Sequence, residues 1–380
     1  MSNGGHRVAL VHDWIVTMRG GEKVLEVLCE LFPDATLFTL LHRKGTASPP
    51  IERMAIRTSF IQHLPFSASN YQRYLPLFPA AIRSFDLTGY DLVVSSSHAV
   101  AKGIRAPSAE SHLCYCYTPM RYIWDQYEDY FGRGRSSLPT RAAMKLAVGP
   151  LRRWDIRTAQ GVGAFVAISK NVQERILRIY GRGSEVVYPP VDVGRFSVSE
   201  EDDGYFLIVS ALVPYKRIDI AVKAFNRIGK KLIVVGTGPE FKSLRRLANS
   251  NITFEGWVAD DSLPEYYRRC RGLIFPGEED FGIVPVEAMA CGKPVVAYAR
   301  GGALETVGDG KTGVLFDKPS AESLLRAVEK LEGMHFDSAA IRRHAEQFDR
   351  ARFKGRMNRI IESFVRENGL RKASGGTSQP

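Results

Sequence analysis

The stretch FPGEEDFGIVPVEAMACGKPVVAYARGG, residues 275–302, holds the densest potential chemistry in the chain. Its apolar start reads as a strand ending at Pro276. The turn that follows carries Glu278, Glu279 and Asp280, and Gly282 opens a helix bearing Glu287. Glu279 and Glu287 are eight residues apart, yet they do not share a helical face, because Glu279 lies in the loop before the helix. The spacing puts one carboxylate at the rim of a site and the other a turn and a half into the helix. The amides of Gly282, Ile283 and Val284 have no helical carbonyl to bind and point toward the same place. Carboxylates accept hydrogen bonds from hydroxyls and amides hold an anion. The combination suits a polyhydroxylated ligand that carries phosphate.

Three other strand-to-helix turns could serve such a ligand. MRGGEK (18–23) offers Gly20 and Gly21, where the backbone can come close to a bound group; a packing turn accounts for the pair equally well. SALVPYKRID (210–219) sets Lys216 and Arg217 just before a helix start, two cations suited to a departing pyrophosphate. Without other residues they also fit a solvated basic helix start. GTGPE (236–240) supplies Gly236 and Gly238 but lacks the GxGxxG of a dinucleotide fold, which disfavours NAD or FAD.

The segment RAAMKLAVGPLRRWDIR (141–157) sets five cations against Asp155 alone, with Met144, Leu146, Leu151, Trp154 and Ile156 between them. It reads either as a contact for anionic lipid head groups or a lipid-linked diphosphate, or as a solvated face whose apolar side packs inward. Trp124 and Asp125 in the preceding loop could shape an acceptor site or serve as core and cap residues. His12 and His98 follow strand ends, where histidines are more often structural. The five cysteines (29, 114, 116, 270 and 291) are scattered without a CxxC, which argues for buried thiols over disulfides or zinc. No DxD-type metal motif stands in a suitable loop.

These turns need strands and helices to hold them. The 380 residues are 44% hydrophobic and 24% charged, a globular composition long enough for two domains. No apolar run approaches the ~20 residues of a membrane span, and no signal peptide is visible, so the expectation is an intracellular soluble protein. The net charge of +11 sits mostly in residues 1–190, with 23 Lys and Arg against 15 Asp and Glu, and asks for an anionic partner. Continuous apolar runs at 8–13, 90–97, 112–119, 164–169 and 185–192 read as parallel strands, with helical stretches at 70–85 and 139–160. The second half alternates strands at 205–210, 231–236, 252–258, 272–277 and 294–299 with helices near 218–228, 240–249, 262–270 and 283–291. That alternation predicts an α/β fold of two Rossmann-like doubly wound domains facing a central cleft. The expected boundaries are 1–196, 197–350 with SVSEEDDG (197–204) as linker or with the linker already begun at Pro189-Pro190, and 351–380. The last piece is a C-terminal helix with Phe353, Met357, Ile360, Ile361 and Phe364 at helical spacing, followed by a frayed tail at 373–380.

Residues 279–295 resemble the signature of the retaining nucleotide-sugar glycosyltransferases of family four, E-x-F-G-(x)4-E-A-M-A-x-G-x-P-V. GGEK (20–23), the Lys of VPYKR (213–217), GTGPE (236–240) and GGALETV (301–307) match other family positions. YTPMRYIWDQY (117–127), LRRWDIRTA (151–159), ISKNVQERI (168–176) and VVYPPVDVGRF (186–196) are similar to the bacterial branch of GDP-mannose-dependent mannosyltransferases. The resemblance covers nearly the whole chain and implies the GT-B fold, with the last helix crossing back onto the N-terminal domain. By it, Glu279 binds donor-sugar hydroxyls and Glu287 the nucleotide ribose. Lys216, Arg217 and the 282–284 amides hold the pyrophosphate, Gly236 belongs to the donor loops, and Gly20 and Gly21 line the phosphate side from the first domain. Two positions depart from the family: Ala211 stands where an Arg is usual, with Arg217 as a substitute cation, and Tyr117 where the branch has His in the loop facing the sugar.

The expected function is therefore transfer of a hexose, mannose from GDP-mannose, with retention, onto a lipid-linked or oligosaccharide acceptor in bacterial surface-polysaccharide assembly. The leaving phosphate takes the acceptor's proton, and no metal or other cofactor is expected. Expected partners are the nucleotide sugar, a polyprenyl-diphosphate-linked glycan and the anionic inner face of the cytoplasmic membrane, with Tyr117, Trp124 and Asp125 on the acceptor side. The alternatives are a UDP-sugar donor, an epimerase-type or non-catalytic nucleotide-sugar binder, and nucleic-acid binding. No module supports the last.

Overall fold

The computed structural model describes residues 5–132 and 137–370. The chain divides into two compact units: unit 1 comprises residues 1–188 with 353–380, and unit 2 comprises residues 189–352. The 373–380 tail lies outside the described residues.

Unit 1 is a seven-stranded parallel sheet. Its strands are β1 (Val8–His12), β2 (Thr36–Thr39), β3 (Ala55–Thr58), β4 (Leu92–Ser97), β5 (His112–Cys116), β6 (Ala164–Ala167) and β7 (Glu185–Val186), in the order β3-β2-β1-β4-β5-β6-β7. The central strands β1, β4 and β5 are buried at every residue, which is why their sequences are continuous apolar runs. β2 and β3 escaped the sequence reading. β3 is an edge strand that alternates exposed with half-buried residues, so it lacks the apolar run that marks its neighbours.

The 70–85 stretch is not one helix. It breaks into a 3-10 segment, Tyr71–Leu77, and a short helix, Phe78–Arg83, because Pro76 and Pro79 have no N–H to donate. The basic stretch does form a long helix, Leu138–Ala159, capped by Ser137 with Pro139 in its first turn. Its one acid, Asp155, is fully buried and faces Lys102 at 2.7 Å, while Tyr180 Oη and Trp124 Nε1 donate to it at 2.9 and 2.8 Å. A buried ion pair, as well as apolar packing, therefore ties this helix to the 3-10 turn Ala101–Gly103 that follows β4. The last helix, Arg350–Glu367, packs mostly in unit 1, with the Phe353 ring edge-on to Tyr115 at 5.6 Å.

Unit 2 is a six-stranded parallel sheet of β8 (Tyr205–Val209), β9 (Lys231–Val235), β10 (Ile252–Gly256), β11 (Gly272–Phe275), β12 (Val295–Tyr298) and β13 (Gly313–Phe316), in the order β10-β9-β8-β11-β12-β13. Helices 218–228 and 321–332 bury Phe225, Ile220, Leu324 and Val328 against Phe206, Val234 and Val296 of this sheet. The acidic 197–204 stretch, expected as a linker, is held to unit 2. Glu201, Asp202 and Asp203 pair with Arg268, Arg271 and Arg269 at 2.9, 2.8 and 2.8 Å, which fixes the segment to unit 2. The chain passes between units at 188–189, at the Pro189-Pro190 alternative. The expected two Rossmann-like domains are what the structure contains. All five cysteines are buried free thiols.

Candidate functional site

In each sheet the strand order reverses once, between β1 and β4 in unit 1 and between β8 and β11 in unit 2. At such a point the loops leaving the carboxyl ends of neighbouring strands diverge and open a crevice. In unit 2 those loops are 210–217 and 276–282, which carry most of the candidate residues.

Lys216 ends a one-turn 3-10 segment, Pro214–Lys216, and Arg217 turns the chain into helix Ile218–Ile228 with φ +53°. From the other loop, Glu279 forms an ion pair with the Lys216 ammonium. Both side chains stay partly open, 16% for Lys216 and 23% for Glu279, so solvent or a ligand can reach the pair. A shallow recess beside it is lined by Ser210, Lys216, Pro276, Gly277 and Glu279. Arg217 turns its Nε to Asp219 at 3.3 Å and is more exposed than Lys216. The sequence reading put Arg217 in place of the cation missing at Ala211; here it is engaged with its own helix, and Ala211 is exposed in the loop.

Gly282, at φ +94°, starts helix Ile283–Ala290 directly after the Glu279 loop. Its amide and those of Ile283 and Val284 form the first turn, which no carbonyl of the helix can serve. Glu287, two turns from Glu279 in sequence but buried, accepts a hydrogen bond from Tyr267 Oη at 2.8 Å. Burial first, and the Glu287 charge next, push the Tyr267 hydroxyl well above its usual range and keep it a donor. Tyr267 lies on another helix, Leu263–Arg269, and no sequence spacing links it to Glu287.

Gly236 has φ +133°, and a Cβ there would lie 1.8 Å from the Ser210 carbonyl oxygen. The residue lets the loop after β9 press against the loop after β8, and its N–H is already given to Gly256 O at 2.7 Å. The Glu279 loop is braced in the same way from the far side. Gly302 N donates to Glu279 O at 2.8 Å, and a Cβ on Gly302 would come within 2.2 Å of Phe281 Cα. Backbone packing thus sets the positions of Lys216 and Glu279.

In unit 1, Gly20 and Gly21 begin helix Gly20–Leu31 at the end of β1. Tyr117 is buried beneath them, its hydroxyl donating to Gly21 O at 2.8 Å and sharing a 2.6 Å hydrogen bond with Ser96 Oγ. Trp124 is held by Asp155 and by the Arg152 guanidinium over its ring at 4.9 Å. Asp125 pairs with Arg175 and Arg178, each at 2.8 Å. The structure therefore gives all three acceptor-side candidates structural partners. Glu22, in the same helix turn, is buried; burial alone would raise its pKa, but hydrogen bonding and charge from His12 outweigh it and the net shift is downward. Among the described residues no group of three or more His, Cys, Asp or Glu is placed to hold a metal ion.

Residues 194–348, most of unit 2, match the family model described as Glycosyl transferases group 1. An uncharacterized glycosyltransferase of Methanocaldococcus jannaschii is 32% identical over 170 residues, 43% of this chain and 46% of that protein. A GDP-mannose-dependent alpha-(1-6)-phosphatidylinositol monomannoside mannosyltransferase of Mycobacterium tuberculosis is 32% identical over 207 residues, 46% of this chain and 54% of that protein. The chain spans about half the length of these relatives. The structure of Anabaena HepE in complex with UDP and glucose superposes with a TM-score of 0.71 at 18% identity, over 94% of this chain and all of that one. At that identity the likeness establishes the fold, the GT-B architecture of two parallel-sheet domains.

Proposed function

We propose that the protein is a retaining glycosyltransferase that moves mannose from GDP-mannose to an oligosaccharide or lipid-linked acceptor. The observation that carries this reading is the Lys216–Glu279 pair at the strand reversal of unit 2, beside the free first turn of helix 283–290. In it, the first-turn amides and Lys216 bind the diphosphate, and Lys216 stabilises the charge that grows on the leaving oxygen. Glu279, released from Lys216 as the diphosphate arrives, accepts hydrogen bonds from the sugar hydroxyls. Glu287, anchored by Tyr267, accepts those of the ribose. The departing phosphate takes the acceptor's proton on the same face, and with its charge met by Lys216 and the first-turn amides the reading assigns no role to a metal. Mannose and the guanine nucleotide are favoured by the mycobacterial relative. A UDP-sugar is the second reading, favoured by the UDP and glucose of the Anabaena structure.

The same proposal extends to the membrane. Helix 138–159 exposes Leu138, Leu146 and Ile156 alongside Lys145, Arg153 and Arg157, a face suited to an anionic lipid surface carrying the acceptor. Replacing Lys145, Arg153 and Arg157 with Gln lowers binding to anionic phosphatidylglycerol vesicles if this face docks there; unchanged binding makes it plain surface.

Titration calorimetry with GDP, UDP, ADP and NAD tests the donor. Selective GDP binding, weakened by Glu287→Ala, supports GDP-mannose. Preference for UDP keeps the chemistry and replaces the sugar, and no nucleotide binding removes the transferase reading.

A further inference from the structure

The far end of unit 2, at the amino ends of β11 and β12, holds a cleft that the candidate donor site does not use. It measures about 500 Å³ and is enclosed by the 198–202 stretch, the residues just before β11 and β12, and the 335–339 turn. That volume lies in the range of small-ligand sites. Lys216 and Glu279 stand beyond the opposite, carboxyl ends of the same sheet.

The most buried charged residue of the cleft is Lys293, only 5% exposed. Its backbone is fixed. Lys293 N donates to Ala288 O at 3.1 Å, closing helix Ile283–Ala290. Gly292 beside it, at φ +76°, packs so near helix Ser338–Ala345 that a Cβ would lie 2.8 Å from Ser338 Cβ. An ammonium has three N–H groups to give. Among the described residues only Glu201 O accepts one, at 2.5 Å, and no carboxylate pairs with the charge. Burial lowers the proton affinity of Lys293, and Cys270, Asp202, Cys291 and Glu201 around it offset this only in part. A buried cation without a counter-charge is costly, and an anion set against it removes that penalty.

The acids nearest the cleft are already engaged. Asp202 accepts from Arg271 Nε and from Gly204 N, each at 2.8 Å, and Asp337 caps helix 338–345 through Ala339 N and Ala340 N at 2.8 and 3.1 Å. What the wall offers is therefore mainly donors. Arg271 is held by Asp202 and Glu332 through Nε and Nη1, which leaves Nη2, and Ser338 adds a hydroxyl. Phosphate carries up to about two negative charges and accepts at several oxygens, so it suits this set better than a carboxylate. Val198 and Phe336 add apolar wall, and the exposed Glu200 at the rim can accept from hydroxyls.

We propose that this cleft binds a small phosphorylated metabolite of the sugar phosphate class, its phosphate on Lys293 and Arg271 and its hydroxyls toward Ser338 and Glu200. The site is separate from the donor crevice and does not depend on the transferase reading.

The full-length protein and its Lys293→Met, Ala339→Trp and Lys216→Met variants are titrated by calorimetry with mannose 6-phosphate, inorganic phosphate and mannose. Melting curves confirm that each variant is folded. Mannose 6-phosphate binds the wild type at least tenfold more tightly than inorganic phosphate, and mannose does not bind. Lys293→Met, which keeps the stem and removes the charge, weakens mannose 6-phosphate at least tenfold. Ala339→Trp fills the exposed rim of the cleft with Lys293 left in place and does the same, so the test survives a Lys293→Met variant that does not fold. Lys216→Met changes the affinity by less than twofold. The inference is overturned if mannose 6-phosphate does not bind, if inorganic phosphate binds as tightly, or if the folded cleft variants stay within twofold of wild type. Binding lost in Lys216→Met and kept in the cleft variants assigns the phosphate to the donor crevice and overturns it as well.

Discussion

Replacing Lys216 with Met keeps most of the side-chain stem and removes only the ammonium. In the resting protein that ammonium pairs with Glu279, and both side chains are partly open to solvent. A pair in that setting contributes about 1 kcal/mol or less to folding, because water and salt screen it. In the proposed reaction the same ammonium faces a diphosphate that gains charge as the sugar leaves. Losing one preorganised donor at such a charge costs about 2.7–4 kcal/mol, or a factor of about 10²–10³ in rate. The function should therefore fall a hundredfold or more while the urea midpoint barely moves. The assay is single-turnover release of GDP from GDP-mannose with acceptor present, beside urea unfolding of the same preparations. A double-substitution cycle with Glu279→Gln identifies the job Lys216 does. If Lys216 only holds Glu279 in place, Lys216→Met and the double variant are equally slow. If it acts on the diphosphate, the two losses multiply. A Lys216→Met rate within threefold of wild type would refute the assignment.

Three further perturbations follow from the geometry. Gly302→Ala drives a methyl to 2.2 Å from Phe281 Cα, so it should cost about 1–3 kcal/mol in urea unfolding and also weaken GDP binding, by shifting the Glu279 loop. Asp155→Asn leaves the buried Lys102 ammonium uncompensated and should cost about 3–5 kcal/mol, whereas the Lys102→Met, Asp155→Asn double variant, which keeps an acceptor for Tyr180 and Trp124, should recover much of that loss in the same measurement. His112 is buried against Ser95, and burial first, then the Lys102 charge, push its pKa down to about 4 from the usual 6.5. The unfolded chain therefore binds the extra proton first, and stability present above pH 6.5 is lost as pH falls toward 4, by about 3 kcal/mol; denaturation at stepped pH should show a shallower slope for His112→Gln.

The strands and helices of the second half were legible because each central strand is buried on both faces and announces itself as a short apolar run. β3 was not, because an edge strand with one solvated face has no such run. The helical reading of 70–85 failed where Pro76 and Pro79 outweigh an apolar periodicity. In unit 2, sequence spacing was enough to place Glu279 in the loop, Glu287 inside the helix and the first turn of helix 283–290 between them, since loop, helix start and helix interior follow one another along 279–287. Tyr267 was beyond its reach as the partner of Glu287. The two lie 20 positions apart, and only the strand order brings them together.

The glycines and the charged residues of unit 2 divide the work of the candidate site. Ser210 is pressed by Gly236, Leu212 by Gly238, and Phe281 by Gly302, each at a backbone separation that no Cβ could enter. The loops are therefore positioned by main-chain packing over the sheet, independently of which side chains they display. Lys216, Arg217 and Glu279 project from that frame into partly open surroundings, where the Lys216–Glu279 and Arg217–Asp219 pairs stabilise little. Ala211 sits on the same frame, so the absence of a cation there changes the charge offered to a diphosphate without moving the loop that offers it. Restoring it with Ala211→Arg should then tighten GDP binding several-fold in titration calorimetry and leave the fold unaffected. A fall in affinity would mean that the loop is tuned by its side chains after all, and the division of labour would be wrong.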